Sequence, residues 1–354
     1  MRLAPFPAAL QTLFAETAER SAAQEQLFVT APGLVVALTK NGTRYLYRRT
    51  YGPDGRRLDE YLGREDDPEA IAKAAALRAR IEEARALAEA SRTLRKAGFA
   101  ATDNSTAVTL AALFNAGLFR QGALLVGTHA FGALLNMLGV RQPANYYTED
   151  VDIARYGTIQ LAVGSRTTFL DMLRTTGLDF VEVPELDVRR PSTSYRARGT
   201  PLRVDLLVPG DTRYRSVRIP ELNAHATALP YLGYLLDQPT RGVVLGRDHV
   251  IPVALPNAAR FAVHKAVVAT LRAGTVPIKR DKDLRQAAVL METLAEDYPD
   301  DLRAAAEALP DSGVKRFRAV LPQLLPFVSD NRDDLRDLVS SLAPGRRRYR
   351  PGAT

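Results

Sequence analysis

Two apolar runs in this chain carry aspartates where a buried strand should carry none. In TEDVDIA, Asp150 and Asp152 flank Val151. On a β-strand the two carboxylates leave one face, while Val151 and Ile153 enter the core. Two like charges a few ångströms apart repel, and a divalent cation that takes carboxylate oxygens relieves the repulsion. In LRVDLLVP, Asp205 stands between Val204 and Leu206, where an unpaired charge is costly to bury. On a neighbouring strand it completes a three-carboxylate cluster. A lone D-x-D is equally the mark of a solvated acid pair, so the surrounding pattern has to decide.

Upstream, GALLVG (122–127) reads as a buried strand and THAFGALLNMLG (128–139) as a helix, with Gly127-Thr128 at the junction. A glycine there lets a phosphate approach the backbone, and the Thr hydroxyl and helix N-terminus can hold the anion. EDVDIAR (149–155), DFVEV (179–183) and LRVDLLVP (202–209) read as further strands. The alternation predicts an α/β (α+β) core with a mixed sheet over 101–255. Before it, 27–63 reads as β, with TRYLYRRTY between the turn signals Asn41-Gly42 and Pro53-Asp54-Gly55. Asp67-Pro68-Glu69 opens a long helix that runs to about Lys96 and stops at Gly98. After Pro256 the pattern is helical, near 257–273, 281–296, 299–308 and 329–342. The expected organisation is therefore an N-terminal hairpin and long-helix region (1–100), the core (101–255), a helical domain (256–342) and a basic tail (343–354).

Composition removes several chemistries. There is no cysteine, which excludes disulfides, thiolate nucleophiles and Cys-ligated metals. His129, His225, His249 and His264 show no metal-ligand spacing, and His129 and His264 lie in apolar helical surroundings that suit core histidines. No apolar stretch is long enough to span a membrane, and the first residues lack the pattern of a signal peptide, so a cytoplasmic protein is expected. The net charge is +8, and half of that surplus sits in the tail GRRRYRPGAT. That tail, with Arg44, Arg48 and Arg49 around Tyr45 and Tyr47, is compatible with RNA contact through phosphates and stacking. A protein partner or homo-oligomer is left open.

Strand, Gly-Thr, helix, D-x-D and a later strand Asp together resemble the DNA polymerase β superfamily of nucleotidyltransferases. Thr128 replaces the usual Ser and keeps the hydroxyl. Downstream, HKAVVATLR supplies Lys265 and Arg272 two turns apart, and KRDKDLRQA supplies Lys282 and Asp283. This pattern is similar to AbiEii-type nucleotidyltransferase toxins, except that Gln286 stands where their second acid would be. The 122–290 arrangement as a whole resembles an uncharacterised bacterial family of nucleotidyltransferase-fold proteins.

The resemblance implies transfer of an NMP from an NTP to a hydroxyl acceptor (RNA or tRNA, protein or small molecule). Two Mg²⁺ ions, with Mn²⁺ as a substitute, would be held by Asp150, Asp152 and Asp205. Gly127, Thr128, Lys265, Arg272 and Lys282 would bind the nucleotide. As a surface residue, Lys265 would contribute little to stability. The competing expectation is a catalytically silent nucleotide- or nucleic-acid-binding module on the same fold.

Overall fold

The computed structural model describes residues 4–52, 55–141, 150–155, 168–185, 187, 189–211, 215–272, 277–328 and 333–342. Pro53, Asp54 and the basic tail lie outside these described residues.

Helix α1 (Ala8–Ala22) precedes an antiparallel sheet of β1 (Leu34–Lys40), β2 (Thr43–Tyr51) and β3 (Arg57–Arg64), in that spatial order. Asn41 and Gly42, at φ 49° and 76°, make the left-handed two-residue loop that an Asn-Gly pair favours. Helix α2 (Pro68–Lys96) begins as its sequence dictates: the Asp67 carboxylate accepts from the Glu69 N–H and Pro68 fills the first turn. Leu46 on the inner face of the sheet packs on Ala70 and Ala74 of α2. Leu87 and Leu94, further along α2, pack with Phe14 of α1 and with Val243 and Val250.

The core contains α3 (Asn104–Asn115), β4 (Ala123–Val126), α4 (Gly127–Met137), β5 (Asp150–Arg155), α5 (Phe169–Arg174), β6 (Phe180–Glu182), β7 (Ser194–Ala197), β8 (Arg203–Gly210), β9 (Ser216–Ile219), β10 (Ala224–Pro230) and α6 (Leu232–Leu236). A hairpin of β11 (Thr240–Leu245) and β12 (Val250–Leu255) follows. The main sheet runs β4-β5-β8-β10-β9, with β7 also paired to β8 and β6 paired to β7. Strands β5, β8 and β10 are mutually parallel, and the other pairings are antiparallel. The sheet is thus mixed, as the alternating pattern implies.

The alternation within β5 fixes its register. Val151 and Ile153 are buried while Asp150 is exposed. Burying each aliphatic side chain contributes about 1.5–3 kcal/mol, and a one-residue slip would drive the aspartates inward instead.

The remaining helices are α7 (Ala258–Ala269), α8 (Pro277–Asp297), α9 (Pro299–Glu307), α10 (Asp311–Leu324) and α11 (Asp333–Ser341). Helix α10 falls within the region read as helical, between the individual stretches named there. Pro322 lies inside it, and Phe317, Val320, Leu321 and Leu324 make a buried stripe on one helical face. One apolar cluster joins residues of the sheet, such as Leu125 and Ile153, to residues of these helices, such as Phe261, Leu290 and Phe317. Among the described residues, no helix is long and apolar enough to cross a membrane.

Candidate active site

The sheet brings the aspartates together. Strand β5 pairs with β8 so that Asp152 is the register partner of Asp205, and Asp150 that of Arg203. On the other side of β5, Val126 pairs with Asp152, which places Gly127 at its flank. Gly127 takes φ +70°, and a Cβ built on it would fall on Asp152 Oδ2. Only a residue without a side chain lets β4 turn into α4 over that carboxylate. Thr128 follows on the first turn, half-buried.

Asp152 makes no hydrogen bond or ion pair among the described residues, and it sits deep among protein atoms with a partial opening to solvent. Burial, and then the charges of Asp205 and Asp150, push its carboxyl up to about 7 against the pull of Lys265 and Arg272. Asp205 is held differently. Its Oδ1 accepts from Ser194 Oγ and, at 2.8 Å, from Arg203 Nε, while Arg203 Nη2 reaches Ser194 Oγ at 2.6 Å. No three acidic or histidine side chains among the described residues stand where they could share one ion.

The expected cations do gather here. Lys265 on α7 and Arg272 just beyond it both contact Asp283 on α8, Nζ to Oδ1 at 2.9 Å and Nε to Oδ2 at 3.1 Å. The Lys265 side chain is only 14% exposed and bound to a buried acid, so the expectation of a dispensable surface lysine is corrected. Lys282 is half-buried and makes no ion pair among the described residues. Burial, then Lys265, lower its pKa against the pull of Asp283, Asp150 and Asp152. His129 and His264 are both held neutral. Burial pushes His129 down to about 4, and burial with the charges of Lys265 and Arg272 pushes His264 down to about 3.

Two participants escaped the sequence reading. Arg203 had a usable signal, because an Arg two residues before Asp205 on one strand must share its face. Ser194 had none, since SYRARGT shows neither alternation nor an apolar run. Gln286 lies one turn beyond Asp283 and is fully buried. Its amide atoms find no hydrogen-bond partner among the described residues.

The N-terminal sheet keeps only part of the layout expected for nucleic acid. Tyr45, Tyr47 and Tyr61 cluster on its outer face, with ring centroids 6.0 Å apart for Tyr45–Tyr61 and 5.6 Å for Tyr47–Tyr61. Tyr47 is buried, however, and Lys40 lies over its ring. The exposed aromatic surface belongs to Tyr61 and Tyr51. Arg44, Arg48 and Arg49 pair with Glu65, Glu60 and Asp59, and Arg48 also lies over the Phe28 ring.

No curated protein and no solved structure matches the chain. Residues 104–310, which run from α3 through the acid-bearing strands and the cation-bearing helices into the helical region, match a family described as nucleotidyltransferase. That match covers more than half of the chain and contains each of the aspartates, the glycine turn and the lysines just described, so the protein belongs to the nucleotidyltransferase family.

Proposed function

We propose that the protein moves an NMP from an NTP to a hydroxyl acceptor with release of pyrophosphate, at the face where Asp150, Asp152 and Asp205 meet Lys265, Arg272 and Lys282. The observation that carries this reading is Asp152. It is a carboxylate without a hydrogen-bond or ion-pair partner among the described residues, raised to about 7, in register with a second aspartate and flanked by a glycine that leaves its oxygen clear. The order of glycine turn, D-x-D and third strand Asp supports placing the chain in the DNA polymerase β superfamily. The Lys265, Arg272 and Lys282 set supports the more distant likeness to AbiEii-type toxins.

The donor set suits a hard divalent cation, Mg²⁺ or Mn²⁺, because it offers carboxylate oxygens whose charge the protein does not itself neutralise at Asp152. Asp150, Asp152 and Asp205 would hold it. Bound there, such an ion supplies charge neutralisation at the reacting phosphate and lowers the pKa of the acceptor hydroxyl. The chain supplies the rest. Gly127 and Thr128 offer backbone and hydroxyl donors to phosphate oxygens at the start of α4. Lys265, Arg272 and Lys282 would face the triphosphate, where their charges would offset the charge that builds on the leaving pyrophosphate. Asp205 Oδ2 receives none of the bonds from Arg203 or Ser194. It is the oxygen available to take the acceptor proton as the oxygen–phosphorus bond forms and the bond to the pyrophosphate oxygen breaks.

For the acceptor, the exposed tyrosines of the N-terminal sheet and the arginines of the tail support RNA or tRNA. The reading is tested by incubating the protein with each α-labelled NTP and total RNA or total protein. Label transfer is expected for the native chain in Mg²⁺. It should fall by at least about a thousandfold in Asp152→Ala, the scale at which loss of an essential transition-state group registers. Full transfer by a folded Asp152→Ala protein overturns the site, and no transfer by the native chain to either pool favours the silent binding module.

A further inference from the structure

Arg203 is the residue at this site whose presence the transfer reaction does not explain. Its guanidinium lies 2.8 Å from Asp205 Oδ1 and is locked to Ser194 on the same side. In the parallel β5–β8 pair it is the register partner of Asp150, just as Asp205 is that of Asp152. One positive group therefore stands among the acids that the proposed reaction needs for a metal.

A guanidinium and a divalent ion cannot both take Oδ1 of Asp205 at bonding distance without strong mutual repulsion. We propose that Arg203 is an internal counter-cation. It neutralises Asp205 while the site holds no metal, and it yields that oxygen when a divalent ion binds. This rests on the metal reading given above. Two features make the exchange feasible. The Arg203 side chain is 44% exposed, so it can swing into water on its long apolar stem without leaving a buried charge behind. Ser194 remains hydrogen-bonded to Asp205 after the arginine leaves, so the carboxylate stays aimed.

The opposite role would be a fixed bracket, with Arg203 orienting Asp205 for the metal from behind. The two roles differ in the sign of a binding measurement. Mn²⁺ affinity is measured on the full chain by electron paramagnetic resonance, without nucleotide, for the native protein, Arg203→Gln and Arg203→Lys. The counter-cation predicts that Arg203→Gln binds Mn²⁺ about fivefold more tightly, the weight of a partly exposed ion pair. Arg203→Lys keeps the charge but loses the fork, and should fall between the two. Thermal melting gives a second readout: Arg203→Gln should melt lower than native protein in EDTA and gain more from added Mn²⁺. If Arg203→Gln does not fold, tighter Mn²⁺ binding by Arg203→Lys carries the same sign. Weaker or unchanged affinity in the variants overturns the proposal while leaving the metal site intact. Absence of Mn²⁺ binding by every protein, the native one included, overturns the metal reading itself and this inference with it.

Discussion

Asp283 and Asp152 sit under the influence of the same two cations, and the fold treats them in opposite ways. Asp283, with its side chain 4% exposed, receives Lys265 at 2.9 Å and Arg272 at 3.1 Å. Asp152 feels the charges of that lysine and arginine but touches neither, and its carboxyl climbs to about 7. A buried carboxylate is tolerable when its charge is matched by close partners, and costly when it is not. Asp283 is thus a built-in anchor that fixes where two positive side chains stand. Asp152 is a charge deficit that the protein has left for something else to fill.

That contrast can be broken by substitution. The largest effect is expected at the anchor. Asp283→Asn leaves Lys265 and Arg272 facing each other without the acid between them, and should cost about 3 kcal/mol in urea unfolding, the usual loss when one member of a buried pair is removed. Native stability in that variant would mean that Asp283 anchors nothing.

A smaller effect with the opposite sign is expected at Asp152. Its folded-state pKa, about 7, lies above its unfolded value near 3.8, so the folded protein holds its proton more firmly between those values. In EDTA, this group's contribution therefore falls as pH rises from about 4 to about 7, and is flat above. Asp152→Asn should remove that slope. At pH 8 it should be more stable than the native protein by about 1–2 kcal/mol, a figure discounted for the partial opening to solvent. Equal pH profiles for the two proteins in EDTA would erase the distinction between the two aspartates.

The smallest effect sharpens the comparison by lying outside it. Tyr61→Ala should weaken binding of a short single-stranded RNA about fivefold, the low end of one base stacking on an aromatic ring. It should leave both the Mn²⁺ affinity and the pH slope unchanged. A change in either would couple the sheet to the acids in a way that their separate packing does not suggest.

Most of the strand framework around the site could be read in advance, because the site uses the simplest periodicity there is. Alternate positions on β5 and β8 had to put Asp150, Asp152 and Asp205 on faces opposite Val151, Ile153 and Val204. The Asp67-Pro68 start of α2 and the Asn41-Gly42 turn were equally legible, since each depends on one or two local residues. Helix α3 was not. Every residue from Thr106 to Phe114 is buried, so it has no polar face to beat against an apolar one. The pairings that decide the chemistry were also hidden. That Lys265 meets Asp283 depends on how α7 packs on α8, and that Ser194 meets Asp205 depends on β7 pairing beside β8. Those contacts join residues 18 and 11 positions apart, respectively, and no local pattern encodes them.

Gly127 carries a consequence for how this chain can vary over evolutionary time. A methyl group at that position would occupy the place of an Asp152 carboxylate oxygen. The two positions, 25 residues apart in the chain, therefore cannot drift independently: a lineage that gains a side chain at 127 must shorten, move or abandon the acid at 152. Among relatives of this protein, the smallest residue in the fold should be the readiest marker of which copies still hold their carboxylate in place.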